Sequence, residues 1–147
     1  MVSPIVEVDG KPYLDGGVAD SVPLKRALDK GYRKLIVVLT RNYGYRKSTS
    51  KRTMRCYQLI MRKYPNLAKA MCLRARYYNK TLEQVEKLEK QGEIFVIRPQ
   101  MEAIGRLERD EKRLELFYQN GYDQMKEKYE SLLSYMEQGR SKGEIDV

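Results

Sequence analysis

KLIVVLT, residues 34–40, holds an unbroken apolar core from Leu35 to Leu39 between a lysine and a threonine. A run this short and this rich in β-branched side chains predicts a strand rather than a helix, of the kind buried on both faces in an α/β sheet. EIFVIR at 93–98 repeats the pattern and predicts a second buried strand. Immediately upstream, PLKRALDKG at 23–31 changes period: Leu24, Ala27 and Leu28 share one helical face. Pro23 suits the first turn of that helix, Asp20 or Ser21 can cap it, and Gly31 can close it. A helix feeding a buried strand sets the class as α/β.

Further upstream, DGKPYLDGGVADSVPL at 9–24 contains two Asp-Gly pairs. IVEV at 5–8 and KPYL at 11–14 flank Asp9-Gly10, and a two-residue Asp-Gly connection predicts a hairpin whose type I′ turn needs positive φ at both positions. Pro12 has no N–H to donate, which places it at an edge. Asp15-Gly16-Gly17 lies where the second strand gives way to the loop before the helix. Two readings stand at this point. Asp15 is a turn former that ends a strand, or its carboxylate is held out on glycines for chemistry, since functional groups gather at strand ends in open α/β sheets.

VEVDGKPYLDGGVADSVPL closely resembles the second catalytic motif of the patatin-like phospholipase family, in which Asp-Gly-Gly or Asp-Gly-Ala follows a short hairpin and precedes a loop ending near a proline. The similarity continues through KLIVVLTRNYGYRK. YYNKTLEQVEKLEKQGEIFVIRP and GRLERDEKRLELFYQNGY are similar to the C-terminal extension of a bacterial branch of that family. The resemblance implies a three-layer α/β/α fold. Residues 1–50 would be the C-terminal part of the catalytic domain carrying the D-G-G motif, and 51–147 a helix-rich C-terminal region with one strand near 93–98. It also implies a cytoplasmic phospholipase or lipid acyl esterase that acts on lipid or acyl-ester substrates through a Ser-Asp dyad and uses no cofactor. Asp15 would be the dyad carboxylate, and Gly16 and Gly17 the motif turn that brings the backbone close to the serine.

In such a dyad the carboxylate accepts the serine proton, the task histidine performs in a triad. The chain contains no histidine, which excludes a Ser-His-Asp triad within it and is compatible with a dyad. The serine is missing, because no G-x-S-x-G occurs from residue 1 to 147 and no glycine-rich oxyanion loop accompanies it. Ser3, Ser21, Ser48 and Ser50 lack the strand-elbow-helix setting that exposes a nucleophile. The expectation is therefore the C-terminal portion of a longer enzyme, cut just before the hairpin and inactive alone. Its truncated sheet would leave an apolar edge that promotes self-association.

The remainder predicts helices. Residues 51–63 form one before Pro65, and 66–90 form one long helix or two, with Thr81 and Gln84 as a capping box that restarts it and Gly92 as its end. Residues 110–119 form another, closed by Asn120-Gly121. A final run places Tyr118, Tyr122, Met125, Tyr129, Leu132 and Met136 at alternating spacings of four and three. That seam predicts packing, against the parent domain or a coiled-coil partner.

The net charge of +9 is concentrated: no acidic residue lies between Asp29 and Glu83, where fifteen Lys and Arg and seven of the twelve tyrosines fall. Arg41, Arg46, Lys47, Lys51, Arg52 and Arg55 are candidates for one patch facing an anionic lipid surface, where tyrosine rings sit at headgroup level. The same mixture can stack nucleic-acid bases or be a solvated basic face. No RNA-binding signature accompanies it, so nucleic acid is not an expected partner of the enzyme. The alternative to the enzyme is a non-enzymatic basic α/β module binding anionic membrane or RNA, with D-G-G only a turn. Cys56 and Cys72 stand without histidine, so no metal site is expected and both read as reduced, buried thiols. Nucleotide-binding loops are absent, and no apolar run is long enough to span a bilayer, so any membrane contact would be peripheral.

Overall fold

Asp9 and Gly10 both take positive φ, 50° and 71°. This turn joins β1, Val6–Val8, to β2, Lys11–Tyr13, as an antiparallel pair with Val6 opposite Tyr13 and Glu7 opposite Pro12. A computed structural model of the chain describes residues 4–105 and 107–138. Among them the architecture is mixed α/β, with two two-stranded sheets and four helices. The chain divides into two units interleaved in sequence: the N-terminal residues through Lys30 with Arg46–Gln84, and Gly31–Tyr45 with the chain from Val85 onward.

The first unit holds the hairpin, a 3-10 turn at Gly16–Val18, α1 at Leu24–Asp29, α2 at Lys51–Ile60 and most of α3, which spans Pro65–Lys90. The cap expected of α1 is corrected. Pro23 itself occupies the N-cap position without a side-chain cap. Asp20 Oδ1 instead accepts from Val22 N at 3.2 Å, and Ser21 Oγ donates to Gly17 O at 2.8 Å. Both side chains serve the loop before the helix. Gly31 does follow the helix with φ 89°. Ser50 caps α2 by accepting from Thr53 N at 3.1 Å, and Pro65 opens α3 at the position where a missing N–H costs nothing. α3 is one helix, with no restart at Thr81. Leu82 and Val85, both buried, lie three apart along it. Of the two cysteines expected to be buried, Cys72 is half-buried and Cys56 is exposed.

In the second unit β3, Leu35–Val38, and β4, Ile94–Ile97, form a parallel pair with Leu35 opposite Ile94 and Val38 opposite Ile97. The expected burial of β3 on both faces is corrected: Ile36 is 45% and Val38 68% exposed, whereas Ile94 and Val96 of β4 are buried. With only two strands paired among the described residues, one side of β3 lacks a covering layer. α4 spans Glu111–Glu137 and is capped by Asp110 Oδ1, which accepts from Lys112 N at 3.0 Å. It runs straight through Asn120-Gly121, where a stop was expected. Asn120 Oδ1 accepts from Gln100 N at 3.3 Å and from Gln124 Nε2 at 3.0 Å, so its side chain does not compete for its own helix. The expected seam is inward only in part. Of its members Met125 and Leu132 are half-buried, while Tyr118, Tyr122, Tyr129 and Met136 are exposed, and Phe117, Gln124 and Tyr135, outside the seam, are half-buried or buried.

Candidate functional site

β2 ends at Tyr13, half-buried Leu14 follows, and Asp15 opens the 3-10 turn from φ −48°, ψ 123°. Asp15 Oδ1 accepts from Gly17 N at 2.9 Å, while Asp15 O accepts from Val18 N at 3.0 Å. Gly16 O takes both Ala19 N and Asp20 N at 3.0 and 2.9 Å. Buried Val18 anchors the turn from below. The loop is thus held by its own polar groups and one apolar contact point. It leaves the Asp15 side chain exposed, with Oδ2 free of hydrogen bonds among the described residues. A carboxylate fixed through one oxygen and open at the other can accept a proton from a group brought to it.

Neither Gly16 nor Gly17 has positive φ, so no left-handed turn is involved. A Cβ at Gly16 would meet nothing within 4 Å. At Gly17 it would lie 3.3 Å from Asp15 Oδ1 and 3.4 Å from Arg74 Nη2. Gly17 therefore matters for the room it leaves between the carboxylate and a guanidinium. Sequence reading missed Arg74, whose Nε is buried without a hydrogen-bond partner. The available signal was its place on α3 between buried Met71 and Ala75.

Neither Ser21 nor Ser50 is engaged with Asp15. Ser21 Oγ donates to Gly17 O, Ser50 Oγ caps α2, and Ser3 lies outside the described residues. Among the described residues no three His, Cys, Asp or Glu side chains gather as a metal site.

Five of the six basic candidates lie in the first unit and one in the second. Arg41 belongs to the second unit, its guanidinium 5.1 Å from the Tyr45 ring centre. In the first unit Lys47 Nζ sits 5.4 Å from the Tyr78 ring, and the Lys47 backbone is gripped twice by Asn79, which accepts from its N at 2.8 Å and donates to its O at 2.9 Å. Arg46 precedes it and is exposed. Lys51, Arg52 and Arg55 are exposed on α2 at spacings of three and four, so they are neighbours on one helical side. The same helix ends in Leu59 and Ile60, 68% and 80% exposed. Among the described residues no helix is long and apolar enough to cross a membrane.

A family model described as a domain of unknown function, DUF6363, matches residues 64–137, half of the chain, from the residue before α3 to the last residue of α4. No curated protein and no solved structure matches.

Proposed function

The chain belongs to the DUF6363 family, and on the resemblance of residues 6–24 and the geometry at Asp15 we propose that it is the aspartate-bearing portion of a patatin-like serine acyl hydrolase, with Asp15 as the dyad carboxylate. The observation that supports this reading is the Asp15 carboxylate itself, exposed after a two-stranded hairpin, held through Oδ1 by Gly17 N and open at Oδ2. On this reading the serine lies outside residues 1–147, on a strand-to-helix elbow of the α/β/α layer to which the chain contributes. Its hydroxyl proton passes to Asp15 Oδ2 as the oxygen attacks a lipid acyl ester, and returns to the leaving alcohol. The test is hydrolysis of p-nitrophenyl esters by the longer protein that includes the serine. Asp15→Asn keeps an oxygen for Gly17 N but is a far poorer proton acceptor, so activity should fall about 10²- to 10⁴-fold with the fold intact. Undiminished turnover by Asp15→Asn removes the dyad assignment, and robust turnover by residues 1–147 alone demands another nucleophile.

A second reading, a non-enzymatic module for anionic membrane, is favoured by one observation. Lys51, Arg52 and Arg55 are exposed on the helix that ends in exposed Leu59 and Ile60, and cations beside apolar side chains suit a lipid interface. Each well-placed cation adds on the order of 1 kcal/mol of attraction to anionic vesicles, screened as salt rises. Cosedimentation should therefore be strong with anionic and weak with neutral vesicles, and Arg52→Gln with Arg55→Gln should abolish the difference. Equal cosedimentation removes the idea, and tighter, salt-sensitive capture of single-stranded RNA replaces the membrane with nucleic acid.

A further inference from the structure

Pro65 disfavours helical backbone at Tyr64, so α2 stops at Ile60 and α3 starts in a new direction. The turn between them is closed by Tyr64 N, which donates to Met61 O at 2.9 Å. In this corner, between the last turn of α2 and the first turns of α3, lies a groove of about 520 Å3 within the first unit. That volume falls in the range of about 300–1,000 Å3 typical of small-molecule sites. Buried Ala68 and half-buried Met61, Cys72 and Leu73 line it. Cys72 Sγ donates to Met54 O at 3.7 Å, so the thiol is already engaged and serves the groove as a small apolar wall.

Arg62 and Lys69 line the same groove, and both are exposed. Neither is in an ion pair among the described residues. On a helix the compensating carboxylate would stand three or four positions away. None can, because no acidic residue occurs anywhere between Asp29 and Glu83. The residues that build the groove therefore contribute positive charge alone, whereas a soluble surface ordinarily intersperses both signs. Long basic side chains lay their aliphatic stems along apolar surface and keep their heads in water, so these two cations remain within reach of a ligand. An apolar floor bordered by uncompensated cations is complementary to an amphiphilic anion.

We propose that this groove binds the anion of a single-chain fatty acid, its alkyl chain against Ala68 and Leu73 and its carboxylate met by Arg62 and Lys69. The guanidinium presents a fork of N–H groups that matches the two oxygens of a carboxylate, and the ammonium adds a point charge. The site includes neither Asp15 nor its turn and does not depend on the acyl-hydrolase reading.

Decanoate, decan-1-ol and acetate separate the charge from the chain. In titrations of the intact chain at neutral pH followed by amide NMR, decanoate below its micelle concentration should shift the resonances of Met61, Ala68 and Leu73 saturably. It should bind about tenfold tighter than either decan-1-ol or acetate, as hydrogen bonds to a charged group allow. Arg62→Gln with Lys69→Gln changes two exposed positions and should cost decanoate about that tenfold while leaving decan-1-ol within a factor of about two. In the unaltered chain decanoate should also slow alkylation of Cys72 and spare exposed Cys56, a readout that needs no variant. Absence of decanoate binding, equal affinity for decan-1-ol, undiminished binding by the double variant, or shifts confined to Lys51, Arg52 and Arg55 would overturn the proposal. Tighter binding of decyl phosphate would overturn the fatty-acid assignment in favour of a phosphate head.

Discussion

Asp15 and Gly121 show what one residue decides. For Asp15 the local chemistry is a turn: Oδ1 is spent on Gly17 N. That geometry is shared by a plain turn and a presented carboxylate, and only the activity of Asp15→Asn separates them. Gly121 is a local cost inside α4, since glycine in a helix interior is less favourable than alanine by about 0.5–1 kcal/mol. Its φ is not positive and an added Cβ meets nothing within 4 Å. Gly121→Ala should therefore raise the unfolding free energy by about 0.5–1 kcal/mol in urea melts. A loss of stability would mean that the helix needs the glycine for a close approach.

At the scale of elements, one side chain ties α4 to the sheet. Tyr135 Oη accepts from Leu35 N at 3.1 Å, and its single proton has Glu93 O at 3.0 Å and Leu35 O at 3.3 Å to choose from. Its ring lies 5.7 Å from that of Phe95, with Lys34 Nζ 5.0 Å from its centre. Lys34 also donates to the carbonyls of Tyr135 and Met136, so a cation neutralises the carboxyl end of α4. Tyr135→Phe keeps the ring contacts and strips the hydroxyl, leaving the Leu35 N–H without its partner. It should cost about 1–2 kcal/mol in chemical denaturation. An unchanged midpoint would mean that water replaces the hydroxyl freely. In the sequence this residue was hidden by Met136, which continues a regular Tyr/Met/Leu spacing that the structure leaves largely exposed. The inward stripe, with Phe117, Gln124, Leu132 and Tyr135, places a glutamine in an otherwise apolar face and so gave a weak periodic signal.

For the whole molecule, the uncovered side of β3 has the largest consequence. Ile36 and Val38 point to the same side of a strand and are both well exposed, and among the described residues the two-stranded sheet has an open edge on each strand. Open edges and apolar faces promote association. Light scattering at micromolar concentration should therefore report species larger than one chain, and Ile36→Lys should shift the population toward monomer. A strictly monomeric particle with one cooperative melt would show that the exposed face is tolerated in isolation.

What the sequence determined by itself was local. Asp9-Gly10 fixed the hairpin turn, and Gly31 and Gly92 fixed helix ends, because each imposes a φ on its immediate neighbours. The two apolar runs were strands because short runs rich in β-branched side chains favour extended backbone, again a local preference. The D-G-G turn was legible as a turn, while Arg74, fifty-seven positions beyond Gly17, was not. Tertiary structure alone decided the continuity of α4 through Asn120-Gly121, its phase, and the exposure of β3. Those depend on Gln100 reaching Asn120 and on Tyr135 reaching Leu35 a hundred residues away. Contacts at that separation leave no periodic trace in sequence, because the two partners share no local backbone constraint.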